Sequence, residues 1–257
     1  MRLAKPHSTG GDQRHFHSLA APARLIASHD NGYSGIELDT SGPSMTFAPL
    51  HTLATTLLPH ALEPGDDGAH DLSHLQRVWN NVRRIAGEEG GDLKVLLAAT
   101  LLHDCVAVEK SSPLRPRASQ LSADKARGVL AELGWSSCEI DAVAHAIAAH
   151  SFSAAIAPTS LEARILQDAD RLDALGALGV ARTFYVAGRL GRALYDPNDP
   201  CAEQRELDDA HFTLDHFQTK LLHLAEGFNT AAGTRLAQVR HERLQRFRQE
   251  LLEEIGQ

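Results

Sequence analysis

Residues 96–104, LLAATLLHD, limit what this chain can fold into more than any other stretch. Placed on a helical wheel, they are apolar on every side, the pattern of a helix enclosed all round by others. Yet the stretch ends in His103 and Asp104, which brings an imidazole and a carboxylate to the middle of a core. Burying such groups without partners costs several kcal/mol, so they must be hydrogen-bonded, ion-paired or shared with a metal ion. The fold has to wrap helices around this stretch and supply those partners.

Composition agrees with helices. Of 257 residues, 43% are hydrophobic and only 5% aromatic, with Ala and Leu prominent, and the length suits one domain of generous size. A formal charge of -8 argues against general affinity for nucleic acid or an anionic membrane, which draws on an excess of Lys and Arg. Cys105, Cys138 and Cys201 are odd in number and far apart, so neither a disulfide framework nor a thiolate metal site is indicated. The opening MRLAKPHSTGGDQRH has no continuous apolar run and no window is long enough to span a bilayer. A reducing cytoplasm is the expected location.

Residues 1–45, rich in Gly, Ser, His and Asp and interrupted by Gly-Gly, Asn-Gly and Ser-Gly-Pro, read as a loosely ordered arm, and 46–257 as the working domain. A short helix is expected over about 47–60. The next, about 71–89, carries Leu75, Val78, Val82 and Ile85 on one stripe, and His74 falls on that stripe. Asp92 is placed to cap the central helix. After it, CVAVEKSSPLRPRAS reads as a polar loop in which two prolines forbid a long helix. A helix is expected over about 122–133, and another opened by a capping box of Ser136 and Glu139 carries Ile140, Val143, Ile147 and, near its end, His150 inward. From Ser160 the run LEARILQDADRLDALGALGVARTFYVAG reads as a single helix containing Asp168, Asp170 and Asp173. Two long helices, about 209–228 and 230–255, are expected to close an all-α bundle.

Three separate segments therefore deliver metal-ligand groups: His74, then His103 with Asp104, then an aspartate of DADRLD. Such a nitrogen and oxygen set suits a divalent metal, Mn²⁺ first, with Mg²⁺, Fe²⁺, Co²⁺, Ni²⁺ or Zn²⁺ as the other fits. Adjacent helical residues diverge by about 100°, so His103 and Asp104 can take neighbouring vertices. Four protein ligands in an octahedron leave two vertices, one for a water and one for a phosphoryl oxygen. By periodicity alone Asp168 lies nearer the stripe of Ile165, Ala169 and Leu172 than Asp170 does. A lone histidine on an apolar stripe is more often a satisfied core residue than a ligand; His74 gains standing only from its companions.

The order of these elements, His74 in HDLSHLQRV, His103 and Asp104 in LLHD, and Asp170 in ARILQDADRLDALGALGVARTF, resembles the HD-domain superfamily of metal-dependent phosphohydrolases. The helices from about 50 to 255, with NTAAG at 229–233, look like its compact bacterial members, among which are nucleotide pyrophosphohydrolases. The resemblance implies an HD-domain-like helical bundle and makes Asp170 the last ligand, leaving Asp168 to hold a ligand histidine in the right tautomer. It also implies hydrolysis of a small phosphorylated substrate, by preference a nucleotide, with triphosphate cleaved to monophosphate and pyrophosphate. Some HD enzymes carry acids three and four positions past the metal-binding Asp; here those positions are Ala107 and Val108, and the first acid is Glu109. Glu109 and Lys110 are thus the candidate catalytic groups. Arg77, Lys110, Ser112, Arg115, Arg117 and His150 are candidates for the substrate, since guanidinium, ammonium and hydroxyl groups all bind phosphate. Arg171 also comes within range, and Asp173 is expected to pair with an arginine. A catalytically silent module that binds nucleotide and metal is the alternative, and the chain is expected to be a monomer or homodimer.

Overall fold

The computed structural model describes residues 47–61, 72–108, 112–151 and 154–257. The arm expected over 1–45, and with it Glu109 and Lys110, lie outside the described residues. Among those described, the elements are helical: α1 (His51–Ala61), α2 (Leu72–Glu89), α3 (Leu93–Leu102), α4 (Ala118–Glu132), α5 (Ser137–His150), α6 (Leu161–Leu172), α7 (Gly176–Arg189), α8 (Asp215–Thr219) and α9 (Ala231–Glu254). The only pairing of extended backbone among them is an isolated bridge between Ala193 and Phe212.

The central helix is the one the sequence singled out. In α3 every residue from Val95 to Leu102 is buried, and the helix packs against α1, α2, α5 and α6. Burial of a leucine is worth about 1.5–3 kcal/mol, so the fully buried Leu96, Leu97, Leu101 and Leu102 make this helix the axis of the core. Asp92 caps it, its Oδ1 accepting from the backbone N–H groups of Lys94 (2.8 Å) and Val95 (3.3 Å). The Ser136–Glu139 capping box opens α5 as expected.

Three expectations are corrected. Helix α4 begins at Ala118, a turn earlier than the periodicity indicated, because a 3-10 turn over Arg115–Arg117 leads straight into it. The long helix expected from Ser160 is two helices. Asp173 ends α6 by turning its side chain inward, and Gly176 takes the left-handed φ of +71° that starts α7 in a new direction. The helix expected over 209–228 shrinks to α8 and one 3-10 turn, Leu221–His223. Here the Asp208 carboxylate captures the N–H groups of Ala210 and His211. The buried Asp215 carboxylate takes the Asp208 N–H and the Arg205 guanidinium. Backbone donors that a helix would use are thus held by side chains.

The α6–α7 junction is tight. A Cβ on Gly179 would stand 2.2 Å from the Ala174 carbonyl oxygen, which is backbone and cannot step aside. Gly179→Ala is expected to cost on the order of 2–3 kcal/mol, as overpacking does, and chemical denaturation with an unchanged m-value would read it. A variant as stable as the parent would mean that the junction yields.

Candidate metal centre

Four helices deliver the polar groups that the core encloses. His74 lies on the buried stripe of α2, beside Leu75 and Val78. His103 follows α3 and is buried, with the part-exposed Asp104 next to it. His150 ends α5 and is buried, and Asp170, with 30% of its side chain exposed, lies in the last turn of α6.

The outer nitrogens of the three rings decide what the inner ones can do. His74 Nδ1 lies 2.8 Å from Asp173 Oδ2, His103 Nδ1 2.7 Å from the Thr100 carbonyl, and His150 Nδ1 2.7 Å from the Ile147 carbonyl. Carbonyl and carboxylate oxygens only accept, so each Nδ1 carries the hydrogen and each Nε2 keeps a lone pair when the ring is neutral. Those lone pairs converge. The Nε2 atoms of His74 and His103 are 3.3 Å apart, and Asp170 Oδ1 lies 3.5 and 3.8 Å from them. Asp104 presents Oδ2 at 3.6 Å from His103 Nε2 and Oδ1 at 3.6 Å from His150 Nε2.

Lone pairs and carboxylate oxygens facing one another at this range repel unless a positive charge stands between them. Donors on adjacent vertices around an ion at about 2.1 Å are about 3 Å apart, so the observed spacings need only a small contraction. The residues fit a divalent cation. They do so as two sets that share His103: His74, His103 and Asp170 in one, and His103, Asp104 and His150 in the other. The sequence reading had a single set of four, with His150 outside it.

Charge tuning follows from the same arrangement. Burial alone would depress the His103 pKa, but Asp104 and Asp170, with the Thr100 carbonyl, carry it above the ordinary value. His150 is pushed down, first by burial and then by His103. For Asp173 burial works to raise the pKa, and hydrogen bonds from His74 and Arg77 outweigh it and hold the carboxyl well below the usual range.

Asp173, not Asp168, is the carboxylate on the histidine, and it also meets arginines as expected. It takes Arg77 Nε on Oδ1 (2.8 Å), and Arg77 Nη2 (3.1 Å) and Arg182 Nη1 (2.7 Å) on Oδ2. Asp168 turns to the start of α9, where it accepts from the backbone N–H groups of Asn229 and Thr230 and from both their side chains.

The centre forms one wall of a cavity of about 840 Å³. His74, Asp104, His150 and Asp170 line it, and so do the cationic Arg115, Arg171, Arg182 and Lys220, with His223. Of the candidate substrate residues, Arg115 and His150 thus reach the cavity. Arg77, Ser112 and Arg117 are not among its lining residues. Arg77 is committed to Asp173 and to Ser73 Oγ (2.7 Å), and Ser112 Oγ accepts from the Leu114 N–H within its own turn. Arg182, Lys220 and the exposed His223 were not among the residues expected at the site. No periodicity relates these positions to the HD pair; the nearest signal was an aspartate, Asp173, in need of a cation.

Residues 71–175 match the family model described as HD domain. YpgQ of Bacillus subtilis (strain 168) is 33% identical over 194 residues, which span 74% of this chain and 86% of that protein. The crystal structure of B. subtilis YpgQ in complex with ADP superposes with a TM-score of 0.60 at 31% identity, covering 80% of this chain and 97% of that one. An HD-superfamily hydrolase from Bacillus thuringiensis gives 0.61 at 34% identity, covering 80% and 98%.

Proposed function

The chain belongs to the HD-domain family, and from that premise we propose that it is a metal-dependent phosphohydrolase acting on a nucleotide, with a nucleoside triphosphate cut to monophosphate and pyrophosphate. The observation that carries this reading is the convergence of three Nε2 lone pairs and two carboxylates on the wall of a cavity whose other sides bear cations. Its volume, about 840 Å³, is in the range of small-molecule sites. The complex of the relative YpgQ with ADP supports a nucleotide as ligand.

His74, His103, Asp104 and Asp170 would hold the ion, Mn²⁺ first. When bound, it acidifies a water and draws charge from a phosphoryl oxygen. The chain's own residues do the rest. Asp173 and the Thr100 carbonyl fix the tautomers of His74 and His103 so that Nε2 faces inward. Arg115, Arg171 and Lys220 present positive charge to a polyphosphate in the cavity, where charge growing on phosphoryl oxygens is offset. Glu109, the first acid after the HD pair, is the proposed proton carrier, with Lys110 as a point charge beside it.

Ala107 and Val108, standing where some HD enzymes have acids, favour a second reading: a regulatory module that binds nucleotide and metal without turnover. Metal analysis of the purified chain followed by a nucleotide panel with product identification separates the two. Stoichiometric divalent metal and release of pyrophosphate are expected. Release of orthophosphate would move the reaction to a terminal or single phosphate, and the nucleotide product would say which. Tight nucleotide binding with no hydrolysis under Mn²⁺, Mg²⁺ or Co²⁺ would establish the regulatory module.

A further inference from the structure

We propose that Arg182 is a phosphate-binding residue of the cavity, docked by Asp173 so that its guanidinium faces the ligand. This rests on the phosphohydrolase reading and adds a residue beyond the segment matched by the family, which ends at 175.

Asp173 is fully buried, and Arg77 alone satisfies it: Nε meets Oδ1 at 2.8 Å and Nη2 meets Oδ2 at 3.1 Å, a bidentate grip that cancels one negative charge with one positive. His74 Nδ1–H completes the set at 2.8 Å. Arg182 adds a second guanidinium through Nη1, 2.7 Å from Oδ2 and 3.5 Å from the Asp173 carbonyl. Two guanidiniums on one carboxylate leave one positive charge in excess. That excess belongs to the arginine on the cavity, since Arg182 lines it and Arg77 does not.

Among the described residues Asp173 is the sole ion-pair partner of Arg182, and Nε and Nη2 donate to nothing. A guanidinium anchored by one nitrogen, part-exposed and lining a cavity, is a preorganised site for an oxyanion. The oxyanion that the proposed reaction brings there is a substrate phosphate. A merely structural arginine would instead be needed by Asp173, which Arg77 and His74 already serve.

The test is calorimetric titration of the full chain, with and without saturating Mn²⁺, using inorganic pyrophosphate and ADP as probes. For Arg182→Gln the affinity for both probes is expected to fall about tenfold or more, as loss of a charge-assisted contact implies, while Mn²⁺ affinity changes far less, because Arg77 still holds Asp173 on His74. Arg182→Lys, which keeps charge without the fork, is expected to recover part of the loss. Unchanged probe affinity in Arg182→Gln, or a loss of Mn²⁺ affinity as large as the loss for pyrophosphate, would overturn the assignment and leave Arg182 a prop for Asp173. A parent that binds pyrophosphate and no nucleotide overturns the nucleotide reading, with Arg182 then judged on pyrophosphate. A parent that binds neither overturns both.

Discussion

His103→Ala is expected to abolish stoichiometric uptake of divalent metal and, with it, phosphohydrolysis. His103 is the donor common to both ligand sets, so its removal takes each from three donors to two. Loss of a group that merely orients a ligand costs about 10- to 100-fold in affinity or activity, and loss of a shared ligand should exceed that. Elemental analysis and thermal melts with and without Mn²⁺ would read it. The parent should gain about 2.7 kcal/mol at a metal concentration one hundred times its dissociation constant, whereas the variant should gain nothing. A variant that still binds Mn²⁺ tightly would remove His103 from the centre.

Lowering the pH should do reversibly what the substitution does permanently. A proton on Nε2 and a cation compete for the same lone pair, and Asp104 and Asp170 hold the His103 pKa above its ordinary 6.5 despite burial. In the metal-free chain the protonated ring contributes stability that is fully present below about pH 6.5 and is lost as the pH rises through the raised value. Metal affinity runs the other way and strengthens over that same rise. Melts across pH with and without Mn²⁺ should therefore diverge as the pH increases.

Asp168→Asn is expected to be strongly destabilising, at roughly 1–3 kcal/mol for each buried donor left unpaired. The buried carboxylate accepts from Asn229 N–H (2.9 Å), Asn229 Nδ2 (2.9 Å), Thr230 N–H (2.8 Å) and Thr230 Oγ1 (2.7 Å). An amide in its place turns a donor toward N–H groups of Asn229 and Thr230 that can only donate, and strands them in the core. Because Thr230 caps α9, the long C-terminal helix should loosen from α6, and hydrogen exchange at the start of α9 should rise with the global loss. An Asp168 that steadied a ligand histidine would give the reverse: weaker metal binding in a fold of normal stability.

The contrast between Asp168 and Asp173 marks where the sequence stopped being readable. His74, His103 and the apolar helix before the HD pair were legible because inward position follows from spacing and chain order alone. Whether an inward carboxylate meets a histidine or a distant N–H depends on the chain that arrives opposite it, and for Asp168 that chain lies some sixty residues on, at Asn229 and Thr230. Asp173 met its arginines as expected, and only its contact with His74 went unread, for a related cause. Periodicity ran smoothly through ARILQDADRLDALGALG, and only the turn at Gly176 swings Arg182 back onto the same carboxylate. Lys220 was hidden because it belongs to a stretch whose helical pattern is overridden by Asp208 and Asp215.

That division between the matched segment and the cavity wall has a consequence for how such proteins diversify. The candidate metal ligands all lie within residues 71–175, together with the cavity cations Arg115 and Arg171, whereas Arg182, Lys220, His223 and Glu226 face the same cavity from farther along the chain. On the proposed reading, the metal chemistry would sit in the first stretch and much of the ligand preference in the second, so exchanging the second for that of a relative is expected to shift the ligand while metal binding stays intact.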